Sequence, residues 1–571
     1  MVLLPRWLLL ALPLALSGCF SDGDGVSPLP LPPPDSGTSD AGVPDAGIAD
    51  AGVPDAGSPD AGSPDAGVPD AGGDAWDGGA VTLSDPGDMV DPGPYSACVF
   101  HPKVGETVAA CDDPALFDRS MCPAGAFADL DTASVYEVRV RSANGPNLTP
   151  YTVVLPSDGG VGRINGQPLV QQDVGPGAFF FSAEVPFGTG TRWRVFAGCE
   201  RPQPGRIHGC YVQCSQGKVL TNGSFTAIRP AQAWGPGESA ASGLSLVSES
   251  AVPLAYPADV YIAKEHAYVV ATGGIFGAGG LAVFDVKHRA HPVLKKTVQL
   301  AGDTYWNGVW AKDDALYIAS ANSGVIVYDI TDPANPQYVR ALPGGAINVH
   351  TVHVQGNRLY AMAPAPTSQT LLFDVSSPLA PALLERITPS DAPGGVHDAF
   401  AYGDRLYVNH TFDGYIAFDV SDPARVRELG RYTYAESYSH ANAVGTFGGR
   451  TIAFEGGELV GAHLRVLDVT DPANMRLIGG YALRPEFSIH NMVLVGTRLY
   501  IAWYHEGVRV LDVSVPPSPR EVAYFHTYRE QEPGRLTYGL YSGAIGIRVP
   551  GDGFIYVVDT TRGLLILSEQ P

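Results

Sequence analysis

The sequence predicts an all-β protein: a seven-bladed β-propeller preceded by a small, disulfide-stapled, β-sandwich-like domain and a disordered N-terminal tether. Three observations carry that prediction. The phrase "YDITDPANPQYV" at Tyr328–Val339 returns as "FDVSSPLAPALL" from Phe373, "FDVSDPARVREL" from Phe418, "LDVTDPANMRLI" from Leu467, "LDVSVPPSPREV" from Leu511 and, more loosely, "FDVKHRAHPVLK" from Phe284. The Asp of each copy (Asp285, Asp329, Asp374, Asp419, Asp468, Asp512) falls at intervals of 44, 45, 45, 49 and 44 residues, a period that signals propellers or arrays. Composition agrees, because 68 Gly, 49 Pro and 26 Tyr with only 17% charged residues suit a turn-rich β protein. At 571 residues the chain exceeds one ordinary domain.

In chain order, residues 1–18 read as an export signal. "MVLLPR" supplies a positive start and "WLLLALPLAL" an apolar stretch too short for a permanent membrane span. "LSGC", Leu16 to Cys19, then resembles the lipobox of bacterial lipoproteins. That resemblance implies lipidation of Cys19 as the mature N-terminus and a membrane anchor. Phe20 and Ser21 follow, with no Asp at the second position, which by the same pattern implies the outer membrane.

Residues 19–92 read as a disordered Asp-Ala-Gly-rich tether. From Asp40 to Gly72 the period is five, with one Asp per unit and no aromatic residue. Such a segment cannot bury enough apolar surface to offset its ordering entropy, and one isolated carboxylate per five residues is a poor chelate. Fifteen Asp lie between Asp22 and Asp91, so of the net charge of −23 the remainder carries only about −8. No basic stripe is present to neutralise phosphates, which excludes nucleic acid as the expected partner.

Residues 93–235 form the cysteine-bearing domain. Its legible strands include "SVYEVRVRS", "GAFFFSAEVP" and "TRWRVFAG", which alternate and are separated by Gly, Pro and Asp turns. Cys98, Cys111, Cys122, Cys199, Cys210 and Cys214 are even in number, and in an exported chain three disulfides are expected. Cys199 and Cys210 flank "ERPQPGRIHG", a hairpin, and are the favoured pair. Cys210 and Cys214 point the same way along one strand and cannot bond each other.

Residues 243–571 form the propeller. In one unit, "HTVHV" turns at "QGN" into "RLYAMA", a loop leads to "TLLFDV", and a turn at "SSPLAP" leads to "ALLERI". Four short strands joined by turns make one blade. The repeated Asp ends the third strand, where its carboxylate can accept from backbone amides in an Asx-turn, and the Pro four residues on breaks the ladder. These units, "GVIVYDITDPANP" and "GYIAFDVSDPA" above all, resemble the LVIVD repeat over about Pro257 to Leu567. The resemblance implies a propeller outside the cytoplasm and no defined activity. Aligning on Tyr268, Tyr317, Tyr360, Tyr407, Ile452, Tyr500 and Tyr556 counts seven units. The seventh stops after its third strand, and "GLSLVSES", Gly243 to Ser250, is expected to supply its missing outer strand.

One column could carry chemistry. At the start of each innermost strand stand Ala258, Asn307, His350, His397, His440 and His490, with Gly543 to Ile545 in the last unit. Loops between second and third strands open on the same face and add His410, Tyr504, His505 and Glu506, with Glu455 and Glu458 as further candidates. Converging imidazoles with a carboxylate suit zinc or a similar divalent metal. The plainer reading, which the recurrence of the unit favours, is that each His bonds its neighbouring blade. His350 and His353 point to opposite faces of a strand and are no chelate. The leading function is therefore a cell-envelope lipoprotein whose propeller is a non-enzymatic binding or scaffolding module for a protein or glycan. The rival is a metal-assisted hydrolase or lyase at the His-bearing mouth.

Overall fold

The computed structural model describes residues 76–88, 95–130, 133–142, 148–187, 190–230, 240–273, 277–435, 437–529 and 541–570. The export signal, Cys19 and the five-residue repeat lie outside the described residues. Among those described, no helix is long and apolar enough to cross a membrane.

Seven antiparallel sheets make the propeller. Blade one runs Tyr256–Ala263, His266–Thr272, Gly280–Asp285 and Val293–Val298, and the same meander repeats up to blade six, Met492–Val495 to Arg520–Phe525. Blade seven contributes only Ala544–Arg548, Ile555–Asp559 and Gly563–Glu569. Its fourth strand is Leu244–Ser250, antiparallel to Gly563–Glu569 with Leu246 opposite Leu567 and Ser250 opposite Leu564. The ring thus closes with a strand from the start of the repeat region, which covers an apolar edge that would otherwise template aggregation. The chain enters through Ala241–Ser242, which adds a short fifth strand to blade six beside Arg520–Phe525.

All six repeated Asp end their third strands, and each carboxylate accepts from the amide two residues on: Lys287, Thr331, Ser376, Ser421, Thr470 and Ser514, at 2.7–3.1 Å. The turn also serves the preceding blade. The Tyr268 hydroxyl donates to Pro333 O (2.9 Å) and that of Tyr317 to Pro378 O (2.8 Å). Arg405 donates to Val469 O and Thr470 O. The second-strand Tyr and Arg are therefore staples between blades, satisfying turn carbonyls that would otherwise face solvent alone.

The cysteine domain keeps its sandwich-like layering but builds it from one sheet rather than two. Its nine strands are hydrogen-bonded in a single order, with Gln167–Pro168 at one edge and Gln171–Gly175 at the other. Only Leu169 and Val170 separate those edges in sequence. Leu169 N donates to Gly162 O on one side and Val170 N to Ser182 O on the other, so the sheet curls almost to closure. Tyr136 then meets Phe179 (ring centroids 5.4 Å) across the inside, although their strands are not neighbours in the sheet. Curling removes the free edges that two open sheets would expose.

The favoured Cys199–Cys210 pair is not formed. The disulfides are Cys98–Cys210, Cys111–Cys214 and Cys122–Cys199. Cys199 and Cys210 do lie on adjacent strands, but Cys210 stands opposite Ala197, and Cys199 falls in a bulge between the Gly198–Gly209 and Glu200–His208 pairs. Two strand cysteines must face each other to bridge. Here both point to the outer side of the curled sheet and reach the 98–122 segment, which packs there with Phe100, Phe117 and Phe180.

The expected tether, 19–92, overruns into chain that is built into the propeller. Residues 76–88 lie along blade five: Leu83 N donates to Leu477 O (2.8 Å), and Trp76 and Val81 pack on the core between blades five and six. Asp85 and Asp88 grip Arg465, which is 0% exposed, at 2.9 and 2.8 Å, while the Tyr434 ring covers the guanidinium at 3.5 Å. Gly87 makes this approach possible. It sits at φ +82°, and a Cβ there would come within 2.6 Å of Ala435 O. The Asp richness that marks the tether also disguised these two ligands of a buried arginine.

Candidate functional site

The His column converges because of where it sits in each first strand. In blades one, two, five and seven the register slips at the column residue, so that Ala258, Asn307, His440 and Ile545 have no cross-strand partner. A bulge re-aims its extra residue out of the ladder. In blades three, four and six, His350, His397 and His490 stand just before the strand and keep one backbone bond each, to Met362 O, Asn409 O and Ala502 O. Seven equivalent positions are thereby released at one end of the channel.

The four imidazoles pack as a continuous arc. Ring centroids are 4.2 Å apart for His350–His397, 4.1 Å for His397–His440 and 4.2 Å for His440–His490. Asn307 closes the near end, its side-chain Nδ2 lying 3.1 Å from His350 Nε2. At the far end Nδ1 of His490 donates to Ile545 O (2.7 Å), which leaves Nε2 with its lone pair toward the cluster.

Glu458, from the loop after the second strand of blade five, inserts beneath this arc. Its Oε2 lies 3.4 Å from His440 Nε2 and 3.9 Å from His397 Nε2, and its Oε1 lies 3.4 Å from His490 Nε2. Tyr504 donates its hydroxyl to Oε1 at 2.5 Å. Glu458 is 0% exposed, His440 2%, His490 4% and His397 5%. Burial holds His350 down at about 4 and His490 at about 3. It drives His440 well below the usual imidazole range, with the neighbouring His charges adding to it, and pushes Glu458 well above the carboxylate range. Burial thus favours the neutral imidazole at His350, His440 and His490.

The other candidates are committed elsewhere. His410 is held by Asp413 (2.7 Å) and Ser368 (3.2 Å). His505 turns to the cysteine domain, where Nε2 is 3.1 Å from Glu137 Oε1, and it stacks on Phe487. Glu506 pairs with Arg484 and Arg509. Glu455 accepts from Ser439 (2.8 Å) and Tyr434 (3.1 Å) and is raised to about 7 by burial, against the pull of Arg465. With the Arg206–Glu486 pair, the His505–Glu137 contact docks the cysteine domain over blades five and six on the His-bearing face. His353 sits between Trp310 (4.8 Å) and Phe400 (4.9 Å), apart from the arc, as strand alternation requires. Sequence reasoning placed Glu458 only as a further candidate. Its signal is a carboxylate directly after "EGG", where a chain without side-chain bulk turns back toward the axis.

Comparison with known proteins adds the repeat. The LVIVD repeat model matches residues 302–341 and 490–527, which span blades two and six. The chain carries LVIVD repeats. The matched stretches contain Asn307 and His490, so the column belongs to the repeat unit itself. No curated protein matches the chain. Among solved structures, the WD40 β-propeller domain of Doa1 shares 10% identity over 58% of this chain and 98% of that one, at a TM-score of 0.42. The RRP9 WD40 repeats share 8% over 57% and 98%, at 0.42, and the computationally designed Ika8 protein 8% over 57% and 99%, at 0.38.

Proposed function

We propose that this chain is a lipoprotein of the bacterial cell envelope, anchored in the outer membrane through Cys19, whose LVIVD propeller is a binding or scaffolding module for a protein or glycan. The observation that carries the binding reading is the construction of the loop face. His410, His505, Glu506 and Glu455 are each locked by partners within the protein, so the face is rigid before any ligand arrives, and pre-organisation limits the entropy lost on association. Phe412 stands out from that face, 62% exposed, with its ring edge-on to Tyr438 at 5.1 Å. An exposed aromatic on a fixed loop is the kind of group that anchors a protein or a sugar ring. The rival, a metal-assisted hydrolase or lyase, needs a substrate to reach imidazoles that are at most 7% exposed, and is disfavoured by that burial.

Two measurements test this. Replacing Cys19→Ser should release the protein from the membrane fraction, and unchanged retention defeats the anchor. Cross-linking the anchored chain in intact envelopes should give discrete protein or glycan adducts that fall at least about tenfold with Phe412→Ser. Adducts that Phe412→Ser leaves unchanged would move the binding surface off this face.

A further inference from the structure

We propose that His397, His440, His490 and Glu458 form a structural metal site that ties blades four, five and six together at the channel mouth, with a zinc-class divalent ion as its occupant. The inference goes beyond the binding role and does not depend on it, since the cluster is buried beneath the loop face rather than part of it.

Geometry comes first. Four ligands about 2.0–2.1 Å from one tetrahedral centre stand roughly 3.3–3.4 Å from each other. His440 Nε2 and His490 Nε2 each lie 3.4 Å from a Glu458 oxygen, and His397 Nε2 lies 3.9 Å away. The donor atoms of His397, His440 and Glu458 are all within 4.8 Å of one another. Side-chain rotations that draw these donors in by about an ångström gather that set around one ion, with His490 brought in beside the other Glu458 oxygen.

Unsatisfied polar atoms come second. Glu458 Oε2, His490 Nε2 and both ring nitrogens of His440 are buried and meet no hydrogen-bond partner among the described residues. Four such buried atoms within a few ångströms of one another are destabilising unless something binds them. A cation satisfies all of them at once, whereas the plainer reading, His rings bonded to neighbouring blades, accounts for His490 Nδ1 and His350 and leaves these four atoms unexplained.

The surroundings come third. His490 Nδ1–H on Ile545 O fixes the tautomer that presents Nε2, and the Tyr504 hydroxyl orients Glu458 through the oxygen it shares with His490. Such outer bonds accompany ligating His and carboxylates. Three imidazoles and one carboxylate suit zinc, and four protein donors leave no open position, which marks a structural rather than a catalytic site.

The test uses the full chain, purified from whole cells grown with added zinc, whichever fraction carries it, without chelator or metal-affinity tag. Elemental analysis should find about one zinc per chain, reduced at least about tenfold in both Glu458→Gln and His440→Ala. Glu458→Gln keeps the side-chain shape, so it decides the matter should His440→Ala fail to fold. Unfolding and refolding in cobalt(II), with the disulfides oxidised, should give the intense visible bands of four-coordinate cobalt in the parent chain and not in Glu458→Gln. A parent chain that holds less than about a tenth of an ion both as isolated and after refolding with zinc or cobalt overturns the proposal. So does metal that both variants retain in full, which would place it elsewhere.

Discussion

Two columns of polar residues repeat through the same blades, and they behave in opposite ways. The Asp at the end of each third strand is satisfied inside its own turn, six times over, by the amide two residues on. The four His that start the first strands of blades three to six meet one another in turn, at centroid distances of 4.1–4.2 Å across three blade boundaries. Repetition in a ring therefore means different things at different radii. Near the rim, equivalent positions are too far apart to interact, and a repeated residue can only do a local job. At the axis they converge, and the same repetition builds one cluster that no single blade contains.

The largest expected effect breaks both columns together. A chain lacking Leu244–Ser250 leaves the outer edge of Gly563–Glu569 unpaired and the ring open. Calorimetry should show loss of the single cooperative transition and aggregation through "LLIL". A melting profile equal to that of the parent would mean that closure does not hold the columns in place.

Next comes the buried arginine that stiffens blade five between the two columns. Asp88→Ala removes one of its close carboxylates and leaves Arg465, enclosed by Tyr434 and Glu455, undercompensated. Denaturant unfolding should show about 3–5 kcal/mol of destabilisation. A loss below about 1 kcal/mol would make the 76–88 segment a passive passenger.

Acid separates the axis from the rim. Burial, with the Arg548 charge adding to it, depresses His353 to about 3. The unfolded chain then binds more protons than the native one from the free imidazole range near 6.5 downward, so this stability is lost as pH falls from about 6.5 toward 3. Asp419, held at about 2 by Ser421 and Arg427, loses its contribution only as pH falls from about 4 to 2. Glu455, raised to about 7, works the other way and weakens the fold as pH rises from about 4.5 to 7. Replacing His353→Phe should make the stability profile shallower between pH 6.5 and about 3, a window it shares with His350 and His490. A profile that His353→Phe does not alter would assign that window to other groups.

The smallest effect tests the rim. Asp468→Ala removes the turn bonds from Thr470 and the partner of Arg450. A local role predicts about 1 kcal/mol and hydrogen-exchange changes confined to blade five and the blade-four strand that Arg405 ties to this turn. Protection lost in blade six, or throughout blade four, would make the rim column cooperative as well.

Strand order within a blade, the Asx-turns, the seven-fold count and the closing role of Leu244–Ser250 were legible in the sequence. Each depends on local chemistry or on a period of about 45 residues, and neither requires knowing what lies across space. The His column was legible as a column for the same reason. Tertiary structure alone decided the rest. Cys199 found Cys122 because the register sets Ala197, not Cys199, opposite Cys210, and the pairing register was not readable from the cysteine spacing. The cysteine domain closed one sheet on itself because Leu169 and Val170 bond both edges, which no alternation pattern announces. Asp85 and Asp88 looked like two more acids in a tract of fifteen until Arg465, some 380 residues downstream, was placed beside them. Glu458 joined His397, His440 and His490 because ring closure brings three blades to one axis, and convergence is a property of the closed ring that no single repeat can encode.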